Sequence, residues 1–170
     1  MLLLGLGSNL PSTFGDRFKN LNLATSYLET YKINIIKKSS FYETPSYPDI
    51  KNPKFINIVV ELSTSLTPEE LASVIIFVEE KLERKRINKN EPRTCDIDII
   101  DYNGKVMDFT YNNLIFKVPH EKLIYRNFVL FPLQEIFPDW KHPKTKELIS
   151  ILIQKLSNED KNSILKIKKS

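Results

Sequence analysis

Between two β-branched runs, residues 55–62 and 95–102, the chain carries a helix start that leaves little freedom in how the segments are joined. In Thr67-Pro68-Glu69-Glu70 the threonine hydroxyl can accept a first-turn N–H, Pro68 is preset to the helical φ, and Glu70 can reach back to the Thr67 N–H. Leu71, Ile75, Val78 and Leu82 then recur at helical spacing, an apolar stripe that needs a sheet to cover it. The opening MLLLGLG reads as a buried strand. Thr13 is placed to cap a helix bearing Phe14, Phe18, Leu21, Leu28 and Tyr31, and residues 33–41 read as the second strand. The order βαββαβ predicts an α+β, ferredoxin-like antiparallel sheet with both helices on one face. Residues 103–140 are expected to add a hairpin and short helices, and 145–156 a last amphipathic helix.

The 170 residues, 41% hydrophobic and 27% charged, are expected to form one domain spanning 1–170. MLLLGLG is apolar for only a few residues and has no basic segment before it, so neither a leader peptide nor a membrane span is expected. A single cysteine, Cys95, permits no internal disulfide and fits a reducing, cytoplasmic setting. Two histidines make a zinc site a poor fit. The formal charge of +4 is a weak signal, because part of it lies in the C-terminal lysines. More informative is the cluster Arg84, Lys85, Arg86, Lys89 and Arg93 just before Asp96-Ile-Asp98. Taken alone, such a cluster also suits a solvated helix end whose cations face the negative end of the dipole.

Strand alternation places Asp96, Asp98 and Ile100 on one face and Ile97 and Ile99 on the other. Two carboxylates roughly 6–7 Å apart along a strand repel unless water, a cation or a basic partner lies between them. Three readings fit: a structural pair, half of an acid/base pair, or ligands for a hard cation such as magnesium, which accepts one or two carboxylates plus substrate phosphates. On the strand at 55–62, Ile56, Ile58, Val60 and Leu62 form the core side, leaving Phe55 and Asn57 on the opposite face. On the helix, Glu79 and Arg86 stand nearly two turns apart on one side.

Gly7-Ser8-Asn9, the run from Ser39 to Pro45, Phe55-Ile-Asn57, Glu79 with Arg84 and Arg86, Pro92-Arg-Thr-Cys-Asp-Ile-Asp98, Val118-Pro-His120 and Arg126-Asn-Phe128 together resemble the 6-hydroxymethyl-7,8-dihydropterin pyrophosphokinases of folate biosynthesis. The resemblance runs from about Leu3 to Ile136. It implies transfer of a pyrophosphoryl group from ATP to the pterin hydroxymethyl, leaving AMP. It also implies that Asp96 and Asp98 hold two Mg2+ ions, and that Arg84, Arg86 and Arg93 clamp the phosphates. Glu79, His120 and Arg126 would be further nucleotide contacts, and Ile99 would offer backbone groups to adenine. Phe55 and Phe128 would sandwich the pterin, Asn57 would read its edge, and Thr44, Pro45 and Tyr47 would contribute mostly backbone. Without the resemblance, His120 reads as a helix-start cap after Pro119, and a single phenylalanine such as Phe128 as core, whereas Phe55 shares its strand face with Asn57 and Glu61 instead of the Ile56 stripe.

Family members commonly carry an aromatic and a glycine just before the Pro-Arg-Thr, whereas this chain has Lys89-Asn90-Glu91 in a slightly shorter loop. That loop is expected to seal the substrates less completely, with Glu91 competing with phosphate for Arg93. Two other classes also fit a ferredoxin-like sheet: a palm-like nucleotidyltransferase or nuclease with two-metal chemistry, and an RNA-binding module, whose aromatic strand signature this chain lacks. The expectation is a monomer with small-molecule substrates that binds neither nucleic acid nor membrane.

Overall fold

The computed structural model describes residues 1–88 and 90–168. Its central strand, β1 (Leu2–Ser8), is followed by α1 (Arg17–Glu29), β2 (Ile33–Lys38), β3 (Tyr42–Thr44), β4 (Phe55–Thr64), α2 (Pro68–Lys81) and β5 (Asp96–Tyr102). β1 pairs antiparallel with β4 on one side and β5 on the other, while β2 and β3 pair with successive parts of β4. With β2 and β3 counted as one broken strand, this is the ferredoxin-like order.

Alternation decides what covers each face. Leu2, Leu4 and Leu6 join Ile56, Ile58, Val60, Leu62, Ile97 and Ile99 against Leu21, Leu28, Leu71, Ile75 and Leu82 of the two helices. Leu3, Val59 and Ile100 point the other way, into a second core supplied by the C-terminal part of the chain. That part contains a hairpin of β6 (Met107–Tyr111) and β7 (Leu114–Val118), then α3 (Asn127–Ile136), α4 (Ile149–Gln154), α5 (Asn158–Asn162) and β8 (Leu165–Lys166). The expected hairpin is present, with Phe109 stacked on Phe116 at 5.2 Å. No helix among the described residues is long and apolar enough to cross a membrane.

The α2 capping box forms as read, with the Thr67 side chain accepting from Glu70 N and Glu70 accepting from Thr67 N. Four local expectations are corrected. Asp16, not Thr13, caps α1, accepting from Lys19 N at 2.8 Å. The chain is still turning at Gly15, where φ is +146°, so Phe14 lies outside the helix and is exposed. Thr13 instead donates its N–H to the Glu83 carboxylate. The second strand is broken, because Ser39 Oγ accepts from Val59 N and takes a place in the ladder before β3 resumes the pairing. The third correction is the start of the fourth strand at Asp96 rather than Cys95.

Fourth, the helix expected over 145–156 shrinks to Ile149–Gln154. Residues 141–148 form a loop whose turn is held by His142, its Nδ1 accepting from Lys144 N and Thr145 N. The tail beyond it is also structured. β8 adds an antiparallel strand outside β3, pairing Lys166 with Tyr42, and Ile167 N donates to Phe41 O at 2.8 Å.

Candidate active site

The face opposite α1 and α2 is filled by the second core around Leu3 and Val59, and Gly5 and Gly7 keep side-chain bulk off the adjoining part of that face, beside Ile100, Asn57 and Phe55. Register puts Gly7 between Asn57 and Asp96, and Gly5 opposite Asp98. Here glycine matters as space: a Cβ on Gly7 would stand 3.0 Å from Asn57 Oδ1 and 3.4 Å from Phe55 Cδ1. Sequence reading noted the Gly-Ser-Asn string but missed this packing role, which only the strand register exposes.

Asp96 and Asp98 share this face and are partly exposed, 26% and 35% by side chain. Each holds an arginine that covers an aromatic ring. Arg93 Nε is 3.1 Å from Asp96 Oδ2, and its guanidinium lies 5.3 Å from the Phe55 ring centre. That Nε is buried without an aligned hydrogen bond, so the pair is a charge contact more than a directed bond. Arg126 Nη1 donates to Asp98 Oδ2 at 2.7 Å and lies 5.4 Å from the Phe128 ring centre.

A third cation, Arg84, bridges two anions, with Nη1 at 2.6 Å from Asp96 Oδ1 and 2.5 Å from Glu79 Oε1. Arg86 pairs with the other oxygen of Glu79, and Ile97 N donates to Glu79 Oε1 at 2.8 Å. Glu79 is 1% exposed. It is thus a buried anchor that aims both arginines from the end of α2, a role the helical spacing only hinted at. Burial pushes its carboxyl up to about 7, against the opposing pull of Arg84. For Asp96 the burial penalty is outweighed by Arg84 and Arg93, which hold the carboxyl below its usual range. A cavity of about 170 Å3 lies beside Glu79, Arg84 and Arg86, lined also by Asn112 and Leu114 of the hairpin.

His120 stands with Nε2 3.2 Å from Arg126 Nη2, while its Nδ1 faces Lys122 N at 3.0 Å. A neutral imidazole accepts at only one nitrogen, so the Lys122 and Arg126 N–H groups compete for the ring's one lone pair, and the tautomer sets which bond is made. Burial, then the Arg126 charge, lowers the His120 pKa. Ile97 turns its N–H outward from β1, and alternation turns the backbone of Ile99 the same way along the edge of β5, which pairs with no further strand among the described residues. The Ile99 side chain is buried among the helices.

Asn57 Nδ2 donates to Thr44 Oγ1 at 3.0 Å, joining two of the expected pterin contacts. Pro45 is exposed and Tyr47 is 86% exposed; both lie on the β3–β4 loop and are not gathered to this cluster. That loop is tied to the β1 end by Asn9, whose Nδ2 donates to Ser46 Oγ and Pro53 O and whose Oδ1 accepts from Arg93 N at 2.7 Å. Asn9 was read only as part of a motif; here it joins the loop to the arginine segment. Of the basic cluster, Lys89 lies outside the described residues. One expectation is corrected. The Glu91 carboxylate accepts from Asn88 N and Nδ2 instead of Arg93, because that turn closes locally and leaves only the Glu91 carbonyl near Arg93 Nη1, at 3.3 Å.

The chain as a whole is similar to known proteins. A family model described as 7,8-dihydro-6-hydroxymethylpterin-pyrophosphokinase (HPPK) matches residues 3–138. A 2-amino-4-hydroxy-6-hydroxymethyldihydropteridine pyrophosphokinase of Synechocystis sp. is 34% identical over 155 residues, covering 91% of this chain and 75% of the relative. One from Aquifex aeolicus is 39% identical over 140 residues, covering 82% of each. The crystal structure of wild-type Plasmodium falciparum HPPK-DHPS superposes with a TM-score of 0.72 at 19% identity, over 91% of this chain and 44% of that one. Against that two-part protein the chain spans less than half the length.

Proposed function

We propose roles for the individual side chains on one premise: the chain belongs to the 7,8-dihydro-6-hydroxymethylpterin-pyrophosphokinase family. It is a diphosphokinase of folate biosynthesis that transfers pyrophosphate to hydroxymethyldihydropterin, with ATP as co-substrate. The finer assignment rests on one observation. Two part-exposed aspartates, each joined to an arginine lying over an aromatic ring, stand on one open sheet face.

In this reading the pterin lies between Phe55 and Phe128, with Asn57 on its edge. The edge-facing amide is held in place by Thr44, and the loop residues Pro45 and Tyr47 would approach by backbone. The arginines now over the rings would move to the phosphates, since a guanidinium fork takes two phosphate oxygens as readily as two carboxylate oxygens. Arg84 and Arg93 neutralise the pyrophosphoryl group as it passes from its bond with the α-phosphate to the pterin oxygen, releasing AMP. Arg86, His120 and Arg126 bind the flanking phosphates, and the outward backbone of Ile99 meets the base.

The donor set fits magnesium. Among the described residues no three His, Cys, Asp or Glu side chains gather to hold a metal alone. Asp96 and Asp98 would therefore supply two hard oxygen ligands, with phosphate and water the rest, the mixed coordination Mg2+ accepts. When bound, two such ions would neutralise the triphosphate and lower the cost of charge in the transition state. Both oxygens of Asp96 and one of Asp98 are paired with arginines, so the same side chains that would hold the metal hold the phosphate-binding cations until the nucleotide takes them.

Incubation with ATP, magnesium and hydroxymethyl-dihydropterin, followed by separation of products, tests the assignment. AMP and a pterin diphosphate in equal amounts are expected. ADP or free pyrophosphate as the nucleotide-derived product would refute it.

A further inference from the structure

The C-terminal segment touches the site from two sides. At one side is Asn127, which lies between Arg126 and Phe128 and is 7% exposed. Its Nδ2 donates to Asp160 O at 2.7 Å and to Ser163 Oγ at 3.1 Å, partners that come from the end of α5. At the other side, β8 pairs with β3, the strand that ends in Thr44. Lys166 Nζ also lies 3.2 Å from Glu135 Oε1, and Glu135 in turn accepts from Tyr42 Oη and Ser40 Oγ. The segment therefore runs from the start of α3 to the strand carrying the Thr44–Asn57 contact.

From this geometry we infer that Asn127 is a positioning residue for the pterin and nucleotide groups on either side of it, acting through the C-terminal segment. The inference rests on the proposed roles of Phe128 and Arg126. The physical reason is local. Arg126 is the N-cap of α3, with no side-chain hydrogen bond capping the helix, so beyond the backbone bonds of Val129 N and Leu130 N to Arg126 O the first turn is oriented by tertiary contacts. A buried amide that donates to a carbonyl and a hydroxyl fixes the rotation of that turn, and with it the directions of its two neighbours. Freed, the turn can fray without unfolding the helix, whose remaining residues Val129, Leu130 and Leu133 are buried in the second core. β8 does the same for β3, which is only three residues long and would otherwise be a short sheet edge.

The test uses the full chain. Asn127→Ala removes the donor, Ser163→Ala removes one acceptor, and Ile167→Pro removes the N–H that bonds Phe41 O. Binding of hydroxymethylpterin and of a non-hydrolysable ATP analogue is measured by titration, beside melting temperature and the KM and kcat values. Asn127→Ala is expected to weaken pterin binding about five- to tenfold, the scale on which one buried hydrogen bond moves an equilibrium. KM should rise more than kcat falls. Ser163→Ala should produce a smaller change in the same direction, and Ile167→Pro should weaken pterin binding with little effect on the ATP analogue. Unchanged pterin binding in Asn127→Ala, with or without a lower melting temperature, would overturn the inference and leave Asn127 a purely structural residue. Failure of the unaltered protein to bind the pterin would instead overturn the proposed site, and this inference with it.

Discussion

Gly7→Ala adds one methyl group to the sheet face that carries Asn57 and Phe55, and the structure says where that group must go. The new Cβ would meet Asn57 Oδ1 at 3.0 Å, closer than a Cβ ordinarily settles, and Phe55 Cδ1 at 3.4 Å, the near edge of ordinary contact. Asn57 is buried and bonded to Thr44 Oγ1, so it cannot swing away without losing that bond. For folding, two effects oppose each other. Removing glycine's freedom in the unfolded chain stabilises by about 0.4–1 kcal/mol, whereas overpacking costs about 1–3 kcal/mol. The net cost is therefore modest, about 0–2.6 kcal/mol, or a drop of several degrees in melting temperature. Pterin binding has no offsetting gain, because the few tenths of an ångström by which Asn57 must give fall on the edge-reading amide, beside the stacking ring. A loss of about tenfold, ~1.4 kcal/mol, is expected, with ATP affinity nearly unchanged. Titration with hydroxymethylpterin and with MgATP, beside thermal melting, measures all three quantities. Pterin affinity within about twofold of the parent would refute the reasoning, and an equal loss of ATP affinity would show that the face is not partitioned as argued.

Asp96→Asn and Asp98→Asn are each expected to lower turnover by about a hundredfold at saturating magnesium, since a ligand charge is lost. They should differ in stability, because Asp96 pairs with Arg84 and Arg93 while Asp98 pairs with Arg126. The Asp96 variant should melt lower, and near-normal turnover in either would remove that residue from the metal site. Phe55→Ala should weaken pterin binding by about 1–3 kcal/mol, the scale of stacking on a base; a large loss of melting temperature with unchanged pterin affinity would make Phe55 a core residue. Burial pushes the Glu135 carboxyl up, but hydrogen bonds from Tyr42 and Ser40 hold it below the usual 4.5. With its folded pKa under its unfolded pKa, Glu135 stabilises above about pH 4.5 and loses that contribution as pH falls through the folded value. Glu135→Gln should flatten the acid side of a stability–pH curve from denaturant unfolding, and an unchanged slope would contradict the assignment.

Local periodicity and turn chemistry were enough to order the elements, because a capping box, alternating strands and a helical stripe act over a few residues. Thr67 to Glu70, the Ile56–Ile58–Val60–Leu62 stripe and the shared face of Asp96 and Asp98 were all readable in that way. The motif strings around the aspartates carried the family resemblance, and with it the candidate residues. What sequence could not show were effects of residues far apart in the chain. The capping of α1 moved to Asp16 because Thr13 turns to Glu83, and the second strand broke because Ser39 bonds Val59. Glu91 was read as a rival for Arg93 from their spacing, yet a tight turn gives its carboxylate to Asn88. The part of Glu79 in holding two arginines, the space reserved by Gly7, and the C-terminal strand beside β3 emerged only when tertiary packing brought distant segments together. Short-range hydrogen bonding and side-chain alternation are written into consecutive residues, whereas the direction in which a side chain finds its charge or its space depends on which strand lies next to it.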